Sequence, residues 1–177
     1  MAGVGVARGR VGTGKKGLSS RIQCLRIKGN RGGGRAGGYT TKRAGDIAET
    51  AFLARATEEG FVAATPYGGQ SRYDVIVDNY RKRWLVQVKS TSQLCRKNVY
   101  QVRAARQERR RGKAPRTVGY LKGEIDFLAV YVAPEKSWHI LPWSALRGRT
   151  VLTLNGKGHA KPGPCGEYRE AWDLLRK

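Results

Sequence analysis

Two short apolar runs, split by a polar turn, constrain this chain more than any other stretch. They are Tyr73-Asp74-Val75-Ile76-Val77-Asp78 and Trp84-Leu85-Val86-Gln87-Val88-Lys89, with Asn79 to Arg83 between them. β-Branched and aromatic residues bounded by polar turn residues predict a β-hairpin. Successive strand side chains point to opposite faces, so Gln87 and Lys89 share one face and Val86 and Val88 the other. In the simplest register Asp74 lies close to both polar residues. A carboxylate, an amide oxygen and an ammonium gathered there can hold a hard cation and a phosphate oxygen. The plain alternative is a solvated strand edge, because strands often end in charged residues.

The charge balance points to the partner. The chain of 177 residues has 35 Lys and Arg against 13 Asp and Glu, a formal net charge of +22. Such an excess calls for a polyanion, and nucleic acid is the default. A structural RNA-binding protein has similar composition, so charge alone does not make an enzyme. Cys24, Cys95 and Cys165 are widely spaced, and neither His139 nor His159 is paired with them. That spacing predicts reduced thiols rather than a zinc site. No apolar run reaches transmembrane length and no secretory apolar region is visible. No membrane partner is expected. The expected location is intracellular, in cytoplasm or nucleoid, or in an organelle if the N-terminus is a transit peptide.

Residues 1–42 hold ten Lys or Arg, twelve Gly and no acid. Sequence of this kind cannot bury enough surface to offset its ordering entropy, so residues 1–40 are expected to be a disordered basic arm, with Ile22 to Ile27 the one stretch that suits a short strand or helix turn. Three readings stand for the arm: a phosphate-neutralising tail, an extension without a role, and an organellar transit peptide. Residues 41–147 are expected to form the core, and 148–177 an edge strand, loop and helix packed on it.

Within the core, a helix is predicted from about Lys42 to Glu59, stopping at Gly60. Ala44, Ile47, Ala48, Ala51 and Phe52 form its apolar stripe, which is expected to shift to Ala54 where Arg55 interrupts it. Glu49 borders that stripe; it is either a solvated boundary glutamate or a carboxylate reaching over the sheet towards Asp74. Phe61 to Thr65 reads as a strand, and Pro66 to Ser71 as a loop. Ser90 and Thr91 carry hydroxyls suited to a phosphate or to an ordinary turn. A strand from Asn98 is expected to decay into a basic loop. Residues 103–116 carry seven basic residues and one acid, with Arg103, Arg109, Arg110 and Arg111 as phosphate-contact candidates. Ile125 to Val132 and Ser137 to Leu141 predict a second hairpin, Thr150 to Leu154 an edge strand, and Glu167 to Lys177 a closing helix.

A helix with Glu49, a strand with Asp74 and a strand with Gln87-Val88-Lys89, in that order, resemble the PD-(D/E)XK nuclease superfamily. The resemblance covers roughly Thr41 to Pro142. Ser71 to Asp78, Val86 to Thr91 and Ile125 to Tyr131 look like the group I intron-associated endonucleases, the homing-type branch that uses Gln-x-Lys. Gly45 to Glu49 is also similar to the archaeal Holliday junction resolvases. Tyr73 stands where the motif's Pro would be, and Gln87 replaces an acid. The resemblance implies an α/β fold with a mixed central sheet flanked by helices, in the order αβββαβ. It implies a metal-dependent DNA endonuclease with Glu49, Asp74, Gln87 and Lys89 as catalytic residues. Mg²⁺ or Mn²⁺ would be held by Glu49, Asp74 and the Gln87 oxygen, and Lys89 would stabilise developing charge. Lys42, Arg43, Ser71, Arg72, Ser90, Thr91 and the Arg103–Arg111 group are the expected nucleic-acid contacts. DNA is the implied partner and a homodimer or homotetramer the implied assembly. A junction resolvase or repair nuclease, and a non-catalytic nucleic-acid binder, are the alternatives.

Overall fold

The computed structural model describes residues 41–158, 163 and 165–177. The expected basic arm, with Cys24, and His159 lie outside the described residues. Helix α1 spans Thr41–Glu58. Gly60, at φ +86°, ends it. The Gly60 N–H donates to Thr57 O and the Phe61 N–H to Ala56 O, both at 3.0 Å, the paired bonds of a Schellman stop. Phe61 then buries beside Ala56 in the same apolar cluster. The buried line of α1 is Ala48, Phe52 and Ala56. The expected shift to Ala54 does not occur: Ala54 is exposed, because Ala56 continues the line one turn after Phe52 and Arg55 lies over the Trp172 ring, 5.8 Å from its centroid.

Strands β1 (Val62–Ala64), β2 (Val75–Asp78) and β3 (Arg83–Thr91) follow. Next come β4 (Leu94–Arg96), β5 (Val99–Arg103), β6 (Arg106–Arg110) and β7 (Lys113–Val118). The chain continues with β8 (Phe127–Val132), β9 (Ser137–Pro142), α2 (Trp143–Leu146) and β10 (Val151–Asn155). The main sheet has the order β1-β2-β3-β8-β9. β3 and β8 pair in parallel and the other neighbours are antiparallel, which is the expected mixed sheet, with helix α1 on one face. One face carries Val75, Val77, Val86, Val88, Phe127, Ala129 and Ile140 against α1, Trp172 and Leu175. The other carries Leu128, Val130, Val132 and Leu141 against Tyr100, Val102, Leu152 and Leu154 of β5 and β10.

Two parts of the chain differ from the sequence expectation. A parallel pair requires a crossover, and the αβββαβ order places a helix in it. Here β4 to β7 fill the crossover from β3 to β8. Gly112 and Pro115 interrupt any helical run there, and the stretch expected to decay into a basic loop is the paired ribbon β6–β7. The closing helix over Glu167 to Lys177 is also absent. That segment forms two 3₁₀ turns, Gly166–Tyr168 and Trp172–Arg176. Glu170 adopts φ +49° and breaks the run. Its N–H donates to Trp138 O at 2.9 Å, and its carboxylate accepts the Trp138 N–H at 2.7 Å.

Candidate active site

Asp74 immediately precedes β2, where the hairpin register sets Val75 against Val86. The Asp74 N–H donates to Val86 O at 2.9 Å. Its Oδ2 accepts the Val88 N–H at 2.9 Å and the Gln87 amide. The alternation expected from sequence therefore holds, and Asp74 and Gln87 sit side by side. Gln87 is one of the few buried polar residues, 7% exposed. Its partner explains how an amide is tolerated there, since a buried polar group must be hydrogen-bonded. The Gln87 nitrogen, rather than its oxygen, meets Asp74 and also approaches Val88 O at 3.4 Å. Facing a carboxylate, the amide presents its donor, whereas the ligation expected from sequence would use its oxygen.

Glu49 comes from α1. It and Asp74 line one cleft of about 200 Å³, together with Thr65, Pro66, Gly68, Gly69, Ser71 and Tyr73. Burial raises the Glu49 pKa, and the charges of Asp74 and Asp46 raise it further while Lys89 opposes them. Burial likewise raises that of Asp74, against the Val88 hydrogen bond and the charge of Lys89. Lys89 thus stands within electrostatic reach of both carboxylates. The sequence-derived quartet Glu49, Asp74, Gln87 and Lys89 is brought to one place.

The other expected contacts divide. Ser71 lines the cleft. Arg72 is beside it, 55% exposed at its side chain and 3.8 Å from Glu124. Lys42 and Arg43 are exposed on the first turn of α1, which the Ser90 hydroxyl ties to β3 by donating to Ala44 O at 3.3 Å. The Thr91 hydroxyl is turned inward: it donates to Gln101 O at 2.6 Å and accepts the Gln93 N–H at 3.1 Å. Both hydroxyls named as phosphate contacts thus make bonds within the protein. Arg103 is exposed at the end of β5, and Arg109 and Arg111 are exposed on the ribbon of which Arg110 is the last residue of β6.

Sequence reasoning missed Tyr120, Arg106 and Glu124. Tyr120 is buried. Burial first, and Asp74 second, push its pKa far upward, so its phenol stays protonated beside the site. Arg106 grips Glu124 with two bonds, Nη2 to Oε1 at 2.8 Å and Nε to Oε2 at 3.2 Å. Burial raises the Glu124 pKa, but Arg106, the Leu121 N–H and Arg72 outweigh it and the carboxyl is held below its ordinary range. These residues come together through the crossover, and no local pattern in the sequence marks them.

The donor chemistry suits a hard divalent cation. Two carboxylates share a cleft, and burial disfavours both as anions, with their mutual repulsion adding to the strain on Glu49. A cation relieves both penalties. Among the described residues no group of three or more His, Cys, Asp or Glu is placed to hold a metal. Two carboxylates with water completing the shell is the usual arrangement for Mg²⁺.

A family model described as PD-(D/E)XK endonuclease matches residues 39–175. Among solved structures, the bacterial homing endonuclease I-Ssp6803I is similar over 78% of this chain and 94% of its own, with 29% sequence identity and a TM-score of 0.67. Hjc, a Holliday junction resolvase from the archaeal hyperthermophile Archaeoglobus fulgidus, matches over 63% of this chain and 83% of its own, with 15% identity and a TM-score of 0.40. None of the curated proteins matches the chain. No described helix is long and apolar enough to cross a membrane.

Proposed function

The chain belongs to the PD-(D/E)XK endonuclease family, a family of nucleases, and from that premise we propose that it is a Mg²⁺- or Mn²⁺-dependent DNA endonuclease of the homing type. The observation that carries this reading is the pairing of Glu49 with Asp74 across one cleft, within the field of Lys89. Likeness to a homing endonuclease over 94% of that chain supports the subtype, and the net charge of +22 supports a polyanionic substrate.

Glu49 and Asp74 would hold the cation, which when bound would supply Lewis acidity towards the phosphate and a more acidic water. Gln87 and the Val88 N–H fix the Asp74 carboxylate, so its free oxygen keeps one direction. Lys89 places an ammonium where charge gathers on the phosphate oxygens in the transition state. Ser71 and Arg72 flank the cleft and position the DNA backbone. Cutting both strands of a duplex needs two such sites, so the acting form is a homo-oligomer, a dimer or tetramer.

The test incubates the protein with supercoiled plasmid, a random-sequence duplex library and a four-way junction, in Mg²⁺ or EDTA, beside Lys89→Ala. Mg²⁺-dependent cutting of duplex that disappears in the variant is the expected result. Cutting confined to the junction replaces the homing subtype with a resolvase. Intact DNA in every arm, with salt-sensitive binding retained, overturns the nuclease reading in favour of a non-catalytic binder.

A further inference from the structure

The ribbon β6–β7 has no apolar core of its own, and its two faces are unlike. Arg106, Glu108 and their cross-strand partners Val118 and Arg116 share one face. That face turns to the body of the protein. Arg106 is 13% exposed at its side chain, grips Glu124 at 2.8 Å and lies 3.8 Å from Glu108. By the period of two, Gln107 and its partner Thr117 point away from the body, and Arg109 follows at the register shift between Glu108 and Arg110. All three are exposed. The Gln107 Nε2 donates to Thr117 Oγ1 at 2.9 Å, a bond that uses one of the amide's two N–H groups. Gly112, at φ +68°, closes the two-residue turn between Arg110 and Lys113, where a residue with a Cβ would be strained.

The dimensions and chemistry fit one partner. A two-stranded ribbon enters the B-DNA major groove, about 12 Å wide, and five-residue strands reach roughly 17 Å. Gln bonds adenine N6 and N7, Arg bonds guanine O6 and N7, and Thr bonds base edges or meets the thymine methyl. The A-form groove of duplex RNA is too deep and narrow for such an element. The base of the ribbon also stands beside the cleft, because Glu124 joins Arg106 to Arg72, two residues before Asp74. We propose that the β6–β7 ribbon lies in the major groove of the duplex DNA substrate and reads base edges through Gln107, Arg109 and Thr117, while Arg111 and Lys113 at its tip contact the flanking phosphates. The proposal deepens the nuclease reading and rests on it. The bland use of the same charges is to keep an exposed strand edge from pairing with other chains.

The test selects bound sequences from a library of random 30-bp duplexes (roughly three helical turns), using wild-type protein, Gln107→Ala, Arg111→Ala/Lys113→Ala, and a variant in which residues 107–117 are replaced by a two-glycine turn. Wild type is expected to enrich a sequence motif. Gln107→Ala should lose discrimination at one or two adjacent positions by roughly 5- to 100-fold. The double variant should keep the motif, with the slope of log affinity against log salt smaller by about 2. Both point variants change exposed side chains and keep the core intact, so their result stands even if the shortened variant fails to fold. Enrichment of no motif by wild type, an unchanged motif in Gln107→Ala, or preference for duplex RNA overturns the proposal. Cleavage of the enriched duplexes in Mg²⁺ is scored separately. Cutting with an unchanged motif in Gln107→Ala and in the shortened variant refutes the ribbon alone, whereas selective binding without any cutting refutes the nuclease reading alone.

Discussion

Replacing Gln87 by Glu tests how the site balances its charge. In the wild type the Gln87 amide donates to Asp74 Oδ2 from a buried position. An ionised carboxylate at position 87 cannot donate. The lost bond to a charged group is worth about 1.5–3 kcal/mol. Two carboxylates roughly 4 Å apart at an effective dielectric near 20 repel by about 4 kcal/mol. The pair escapes part of this by keeping one proton, so without metal the variant should lose about 3–5 kcal/mol at pH 8. For a domain of this size that lowers Tm by roughly 10 °C or more. The loss should be small near pH 5, where a protonated carboxyl donates as the amide does. The direction follows from linkage: a carboxyl whose folded pKa is raised contributes stability below its unfolded pKa, near 4.3, and that contribution is lost as pH rises through the folded value. Saturating Mg²⁺ binds the folded state alone and should recover most of the deficit, with cleavage retained. The assay is thermal unfolding at pH 5 and pH 8, in EDTA and in Mg²⁺. An equal loss at both pH values, or wild-type stability at pH 8 in EDTA, refutes the Asp74–Gln87 geometry. Loss of cleavage in Mg²⁺ would mean that the amide is required as a donor during the reaction.

Three further outcomes are expected. Asp74→Asn and Lys89→Ala should abolish Mg²⁺-dependent nicking while duplex affinity, read by gel shift, stays within a few fold; Asp74→Ala should cost a further ~1–3 kcal/mol because the Val88 and Gln87 donors are left unpaired. Glu49→Gln should be inactive yet more stable than wild type at pH 7 in EDTA, with the advantage vanishing towards pH 4 in urea titrations, since burial and Asp74 raise the Glu49 pKa and its contribution falls as pH rises; an advantage independent of pH would count against that assignment. His139 is fully buried, and burial, with Arg169 second, lowers its pKa from 6.5 to about 4. A depressed histidine contributes stability above its unfolded pKa that is lost as pH falls towards the folded value, a difference on the order of 3 kcal/mol. His139→Leu should therefore flatten the stability profile between pH 6.5 and pH 4, and an unchanged profile would remove His139 from acid unfolding.

How much was legible in the sequence follows from what each signal encodes. The hairpin from Val75 to Thr91 was readable because a half-buried strand writes its two faces into alternate residues, and the same period of two set Asp74 beside Gln87. Helix α1 and its stop at Gly60 were readable because stripe and cap are local. Glu49 was readable only through the motif it shares with the nuclease family, since no local pattern tells a boundary glutamate from a cleft carboxylate. The ribbon β6–β7 was not legible as strands: both faces are largely polar, so no apolar alternation is imposed on it. The closing segment has helical spacing at Ala171, Trp172, Leu174 and Leu175, but Glu170 is recruited by the backbone of Trp138, 32 residues away, and those bonds outweigh local propensity. The sequence by itself determined the strands of the main sheet, the first helix, the charge and the order of the chemical groups, because these depend on neighbours within a few residues. Only the tertiary structure decided which way Gln87 turns its amide, that Thr91 faces inward, and that Arg106, Tyr120 and Glu124 gather beside Asp74. Those outcomes depend on which groups, distant along the chain, must satisfy one another once water is excluded.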